Sequence, residues 1–544
     1  MGSDLDYEDQ RVEPPITEWP ALIESARPVP EPIRSLRATL RPRLLELARR
    51  YTDRLTSLAE AAGVMTNFAE GSFAETQRPS PAATEGVANL SDSSSLIVTG
   101  HQPVIFHSGL TFKYRMTESA AAAVGGVSLA VIMDTDDGDA GKFEFPRFAA
   151  EDQQHWPPAD SSGRTFQNIT SDSATLGKGS GLFFSQSLKS GSQIQTLRDQ
   201  VIAGLLSTGC ESAVTQATRA FDACAALSNQ GVSVAEANVI VRRAAGIGTN
   251  TLEFPFSEFC QLPEVIELTR SILNQAEEFS EQYNRALDSF RLKQRIDNPA
   301  NPFPNLNRRG SDFELPFWLI HRASGVRQRL QIRKQGELLE IHGDEGTVTS
   351  TDSGITNDTL KSLRELGLLI VPRGALITAF MRLLASDLFV HGIGGGRYDR
   401  FTDELIRLWW NIEPSAWTVA TASRYLFRDL RKQLEDLDAL ESKFRDYQYN
   451  PQRYLEAGVF SAVFEGRLKV LLTEKQRLVE ELKTRQSARL PATDVGRQVQ
   501  QITDQIREAV TGEFSEQRLL RSKVSDDNRS AVFSRLYPWF FFDS

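Results

Sequence analysis

The stretch Leu96-Ile-Val-Thr-Gly-His-Gln-Pro-Val-Ile-Phe-His-Ser-Gly-Leu-Thr-Phe-Lys-Tyr-Arg115 decides the fold. Its first residues read as a buried strand, Gly-His-Gln-Pro as a sharp polar turn, and the segment from Ser108 onward as a helix. The helix continues through an alanine run to Val124, Gly125-Gly126 ends it, and Val127-Ser-Leu-Ala-Val-Ile-Met133 forms a second apolar strand. Strand, helix and strand within residues 96–133 predict a βαβ unit in a parallel sheet. Asp134-Thr-Asp-Asp-Gly-Asp139 then stands at the carboxyl end of the second strand. In open α/β sheets ligands bind beyond the carboxyl ends of the strands, so both polar turns are candidate site segments.

Outward from this unit the chain predicts an α/β fold, a Rossmann-like parallel-sheet core with a helical insertion and a C-terminal α-helical coiled-coil arm. Residues 1–95 read as an N-terminal segment, extended and proline-rich to about residue 33, helical from Ile33 to about Ala62, and polar from Gly71 to Ser95. The core spans 96–421, with the insertion at about 151–253 and antiparallel strands at about 314–342, where Phe317-Trp-Leu-Ile, Gln328-Arg-Leu-Gln-Ile and Leu338-Leu-Glu-Ile alternate around turns. Leu366-Gly-Leu-Leu-Ile-Val-Pro372 reads as a further buried strand, followed by a helix from about Leu376 to Ala385. From 422 to 527 leucine, isoleucine, valine and phenylalanine recur at steps of three and four between charged residues, the seam of a coiled coil that pairs within the chain or across a homodimer. The tail at 528–544, with Tyr537-Pro-Trp-Phe-Phe-Phe, is too aromatic for water and is expected to dock on the core.

Composition narrows the function classes. Sixty-one Lys and Arg against 71 Asp and Glu give a net charge of −10, which opposes a nonspecific nucleic-acid binder. Three cysteines without paired spacing fit a reducing, cytoplasmic compartment. The acidic start lacks the form of a signal peptide, and no long apolar run predicts a membrane span. Small-molecule substrates are the expected partners, with no nucleic acid and no membrane.

Three constellations can carry chemistry. His101 and His107, two of six histidines, flank the first turn with Thr99, Gly100 and Gln102; imidazoles near a helix start can stabilise phosphate charge, and the alternative is that one of them caps the helix. Lys113 and Arg115 lie on different faces, so at most one reaches the same pocket. The acidic turn offers Asp134, Asp136 and Asp137 to a substrate ammonium or to Mg²⁺, or else is a solvated turn; no residue is assigned as a metal ligand. Finally His391-Gly-Ile-Gly-Gly-Gly-Arg397 brings the amides of Gly394, Gly395 and Gly396 and the guanidinium of Arg397 to an anion, with His391 and Asp399 beside them. It lacks the P-loop ending.

The order of these parts resembles the bacillithiol biosynthesis cysteine-adding enzyme family of cysteine ligases. The matching segments are Thr99-Gly-His-Gln102, the turn from Asp134 to Asp139, Gly392 to Gly396, the helices of 422–527, and Tyr537-Pro538, within residues 96–544. His101 stands where the family has glutamine, the acidic turn lacks its Glu-Asp-His-Asp order, and three glycines replace its Gly-Gly-Pro-Gly-Glu. The resemblance implies a ligase that forms a carbon–nitrogen bond between cysteine and a small amine or sugar-amine acceptor, with ATP or another nucleotide and Mg²⁺. Within that expectation His101, His107 and Asp136 are the catalytic candidates, and Thr99, Gly100, Gln102, Asp134, Asp137, His391, Gly394, Gly395, Gly396 and Arg397 bind substrate or nucleotide. A Rossmann-like nucleotidylyl transferase, or an inactive coiled-coil scaffold, would share the same parts.

Overall fold

A computed structural model describes residues 7–25, 29–64, 94–148, 169–352 and 354–542. The chain is mixed α/β and divides into two compact units, one of residues 1–145, 172–424 and 535–544, the other of 146–171 and 425–534. Much of the polar segment expected at 71–95, and of the insertion at 151–168, lies outside the described residues.

The first unit holds two main sheets. Their strands in chain order are β1 (Glu8–Glu13), β2 (Leu96–His101), β3 (Val127–Ile132), β4 (Thr251–Pro255), β5 (Asp312–His321), β6 (Val326–Gln335), β7 (Leu338–Gly343), β8 (Gly346–Thr351), β9 (Leu368–Pro372), β10 (Leu388–His391) and β11 (Ala416–Ser423). The larger sheet runs β1-β11-β10-β2-β3-β4, with every neighbouring pair parallel except β1 against β11. The second sheet is antiparallel, in the order β8-β7-β6-β5-β9.

Alternation along the central strands places Leu96, Val98 and Phe389 in one core and Ile97, Leu388 and Val390 in another. Both faces of the sheet are therefore covered, as a parallel sheet requires. Helix Ser108–Ala123, which joins β2 to β3, buries Phe112, Ala120 and Ala121 against the second core. Helix Ile393–Trp410, which joins β10 to β11, buries Phe401, Leu405 and Ile406 against the first. From the adjacent strands β2 and β10 the chain thus departs in opposite directions across the sheet. That reversal opens a crevice beyond their carboxyl ends.

At the opposite end of the strands, helix Ile33–Ala61 is fastened by Arg37 and Arg41, which pair with the two oxygens of Asp387 just before β10. Asp387 also accepts the amide of Leu96 at 2.7 Å, so one carboxylate ties the starts of β2 and β10 to the helix.

Several expected boundaries move. The insertion was expected to run to about 253, but Thr251–Pro255 is a strand of the parallel sheet; its polar Glu253 disguises it and is neutralised inside by Arg242. The antiparallel strands extend from Asp312 to Thr351, and Leu368–Pro372 joins them rather than the parallel sheet. The insertion itself contains helices Gly191–Ser207, Glu211–Leu227 and Val234–Ala244. The aromatic tail packs in the first unit from Arg535 onward: Trp539 donates its amide to the Phe106 carbonyl at 3.1 Å, and Phe540 lies edge-on to Phe143 and Phe221.

In the second unit, helices Arg428–Tyr449, Ala462–Ser487 and Thr493–Glu513 share a core that includes Phe444, Phe464, Leu468, Ile502, Ile506 and Val510. The short connection at 488–492 folds the last two helices against each other.

Candidate active site

The carboxyl ends of β10, β2 and β3 lie side by side, so the three polar segments that follow them converge on one edge. Their residues do not share one fate. Thr99 is buried and donates its hydroxyl to the Val390 carbonyl at 2.9 Å, which ties β2 to β10. A Cβ on Gly100 would stand 2.3 Å from Val131 Cγ1, so glycine is required by close strand packing. Neither side chain is available to a ligand.

His101 caps the turn: its Nδ1 lies 2.8 Å from the Gln102 carbonyl and its ring packs edge-on to Phe106. Burial, then the ammonium of Lys113, pushes its pKa down to about 3, so it is neutral at physiological pH. His107 is the N-cap of helix Ser108–Ala123 and accepts the Gly109 amide at 3.2 Å. Burial, then Arg535 and Lys113, pushes it down to about 4. Of the two basic residues on this helix, Lys113 is the one that turns inward: its buried Nζ donates to the Gly100 carbonyl at 2.6 Å, and burial lowers its pKa to about 8.

The acidic turn separates its carboxylates. Asp134 is buried and accepts both the amide, at 2.9 Å, and the hydroxyl of Ser257; burial raises its pKa to about 6. Asp139 accepts Gly141 N and Thr175 Oγ1 at 3.0 and 2.7 Å, closing the turn. Asp137 is exposed, with its backbone paired to Leu182. Asp136 alone faces the crevice, where Oδ2 accepts from Gln102 Nε2 at 2.7 Å and Oδ1 lies 3.4 Å from Arg327 Nη1. No group of three or more His, Cys, Asp or Glu side chains among the described residues is placed to hold a metal ion. A turn with two of its carboxylates already satisfied does not fit Mg²⁺ held by the protein.

Asp136 opens a region that sequence patterning does not announce. It lines a cavity of about 280 Å³ together with Trp318 and Arg327 of the antiparallel sheet and Arg373, Tyr283 and Phe303. The Arg327 and Arg373 guanidinium carbons stand 4.5 and 4.7 Å from the Trp318 ring centre, and Arg373 pairs with buried Glu314. Arg373 Nε is buried without a hydrogen bond among the described residues. Next to it Gly374, at φ +59, begins helix Ala375–Leu384 with no side-chain cap. The signal in the sequence was slight: Arg327 belongs to a strand of alternating charge, and Arg373-Gly374 reads as an ordinary turn before a helix.

A search against protein-family models finds no match, and no curated protein matches the chain.

The glycine-rich segment is the first turn of a helix rather than a loop. Gly392 is the N-cap of Ile393–Trp410, and among the described residues no side chain caps it. The Gly396 amide makes the first intrahelical bond, to the Gly392 carbonyl at 3.0 Å, leaving the three preceding amides directed out of the helix end. Gly396 is needed for packing, since a Cβ would meet Val419 at 2.6 Å, whereas Gly392 and Gly394 look onto open space. Arg397 is exposed. His391 is buried, with Nε2 2.9 Å from Asp399 Oδ2.

Of the expected site residues, Gln102 and Asp136 are in direct contact, and His391 and Gly394–Gly395 share the end of β10. Asp134, Thr99, Gly100, Gly396 and His107 hold the scaffold.

Proposed function

We propose that this chain is a ligase-like enzyme, built on a Rossmann-like core, that joins an amino acid to a small amine or sugar-amine acceptor, with cysteine as the amino acid by the resemblance to the bacillithiol cysteine-adding family. The observation that carries the reading is the cavity at Asp136. Its lining presents both signs, Asp136 beside Arg327 and Arg373, with Glu314 outside the lining paired to Arg373. A site that presents both signs matches a zwitterion better than a polyphosphate. Asp136 would accept the ammonium, and the Arg373 guanidinium with the uncapped start of Ala375–Leu384 would take the carboxylate. Trp318, Tyr283 and Phe303 supply the apolar wall, and about 280 Å³ suits a compact metabolite, at the lower limit of pockets built for drug-sized ligands.

Joining an amino acid to an amine needs an activated carboxyl group. A nucleoside triphosphate would supply it, its phosphates meeting the free amides of Ile393 to Gly395 and exposed Arg397. His101, neutral and with its Nδ1 hydrogen given to the Gln102 carbonyl, stands at the neighbouring strand end with Nε2 as an acceptor to offer the substrate. Any Mg²⁺ would arrive with the nucleotide. The chain works in the cytoplasm in this reading, with its three cysteines buried and in no disulfide among the described residues, and pairs as a homodimer through a coiled-coil arm built from the 428–513 helices.

The test is product formation. Full-length protein with L-cysteine, MgATP and an amino-sugar acceptor is expected to yield a cysteinyl amide seen by mass spectrometry, with turnover reduced at least tenfold in Asp136→Asn. A wild-type chain that forms no amide with any amino acid, yet exchanges pyrophosphate into ATP, would replace this reading with nucleotidylyl transfer.

A further inference from the structure

His391 is 6 % exposed and has two ring nitrogens with unequal surroundings. Nε2 is committed to Asp399 at 2.9 Å. Nδ1 carries no hydrogen bond among the described residues and faces the first turn of Ile393–Trp410, where a Cβ added to Gly395 would fall 2.5 Å from it. A histidine that merely tied β10 to this helix would need Nε2 alone. Nδ1 is not among the buried polar atoms left without a partner, so within this largely buried ring it keeps contact with solvent and can be reached from outside.

The partner fixes which nitrogen holds the proton. Asp399 is buried, and burial alone would raise its pKa, but Arg382, His391 and Thr378 hold it well below the usual carboxylate range. Arg382 Nη1 lies 2.9 Å from Oδ2, and the Thr378 hydroxyl donates to Oδ1 at 2.6 Å. An ionised carboxylate only accepts, so Nε2 bears a hydrogen and Nδ1 is the nitrogen at which a second proton is taken up or given away. Arg382 is itself anchored by Asp403 at 2.6 Å and by the Ser415 carbonyl at 3.0 Å, which leaves Asp399 no freedom to turn away. The remaining walls are the rings of Phe389, 4.5 Å away by centroid, and Trp417 at 6.0 Å. The charged groups around the imidazole are therefore Asp399 and, behind it, Arg382 and Asp403. An oriented base with its lone pair directed over free helix amides combines a proton acceptor with an anion cradle.

We propose that His391 is the general base of the crevice, with Asp399 as its positioning residue, and that Nδ1 takes the proton from the acceptor ammonium as its nitrogen attacks the activated acyl carbon. This rests on the ligase reading. In the step Nδ1 takes one ammonium proton, the amine so freed forms the C–N bond, the bond from the acyl carbon to phosphate oxygen breaks with its electron pair passing to the phosphate, and the second proton lost from nitrogen leaves with that phosphate. The nucleoside triphosphate is the co-reactant that supplies the phosphate.

Two measurements on the full-length chain test it. Hydroxylamine is largely unprotonated at neutral pH and attacks without a base, whereas a sugar amine needs one. His391→Gln is expected to lower amide formation with glucosamine at least 100-fold in kcat with little change in KM, while cysteine hydroxamate forms within about threefold of wild type. Asp399→Asn is expected to move the pH profile of amide formation and leave hydroxamate formation in place. Full glucosamine transfer by His391→Gln would overturn the proposal, and so would hydroxamate lost in step with amide. A wild-type chain that makes neither product overturns the ligase reading and the base with it. Independently of turnover, diethylpyrocarbonate mapped by mass spectrometry should modify His391 in the native wild type through open Nδ1; a native His391 that stays unmodified while it reacts after unfolding would overturn the base assignment alone.

Discussion

Asp136 carries more of the account than any other side chain, because it joins the turn after β2, through Gln102, to the antiparallel sheet, through Arg327. Asp136→Asn keeps the shape and one hydrogen bond but removes the charge opposite Arg327. Amino-acid affinity should fall by about 1.5–3 kcal/mol, the worth of a hydrogen bond to a charged group, measured by calorimetry. His107 makes a different prediction. Its folded pKa of about 4 lies below its ordinary 6.5, so the unfolded chain binds more protons between those values. The stability associated with His107 is complete above 6.5 and is lost as pH falls through 4. Asparagine also caps helices well, so His107→Asn should match wild type at pH 7.5 yet exceed it at pH 5 by about 1–2 kcal/mol in urea unfolding. At this scale sequence was a partial guide. Four aspartates on one turn look equivalent in the chain, but Ser257 and Thr175 arrive from distant segments to claim Asp134 and Asp139. Only the fold tells which carboxylate is left for a ligand.

Elements were more legible than residues, because apolar runs of five to seven residues between turn formers have few alternatives. Thus β2, β3 and the helix between them are readable from Leu96 to Met133. The misses have physical causes. Glu253 interrupts the apolar pattern of β4 and is tolerated there because Arg242 and Arg243 meet it inside. The three glycines at 394–396 read as a loop since glycine disfavours helix by about 1 kcal/mol per residue relative to alanine. They persist in a helix because Gly395 and Gly396 leave no room for a Cβ beside His391 and Val419. Gly109 tests the same competition. In helix Ser108–Ala123 a Cβ there would lie 2.1 Å from the Ala422 carbonyl oxygen. Alanine should gain about 1 kcal/mol in helix propensity and lose more to a backbone clash that must separate the helix from β11, typically about 1–3 kcal/mol for an overpacked core and occasionally more. We expect Gly109→Ala to lower the thermal midpoint, read by circular dichroism; an unchanged or raised midpoint would show that the helix can shift freely.

For the whole molecule the chain order matters most. Two connections leaving adjacent strands in opposite directions create the crevice, and the second sheet, spliced between β4 and β10, brings Trp318, Arg327 and Arg373 to its side. No local pattern foretells that meeting, since Asp136 and Arg373 are far apart in sequence. The second unit is likewise discontinuous, taking 146–171 as well as 425–534. On helix Ala462–Ser487, Val463 and Val470 stand seven residues apart and are 80 % and 69 % exposed. If the proposed dimer uses that stripe, light scattering should give two chains per particle for wild type and one for Val463→Lys/Val470→Lys. The central claim is that the cavity at Asp136 selects a zwitterion, and calorimetric titration of the full-length protein tests it most directly. L-cysteine should bind, cysteamine and 3-mercaptopropionate, each missing one charged end, should bind at least tenfold more weakly, and Asp136→Asn should erase the preference over 3-mercaptopropionate. Equal binding of all three ligands, or an unaltered preference in Asp136→Asn, would contradict it.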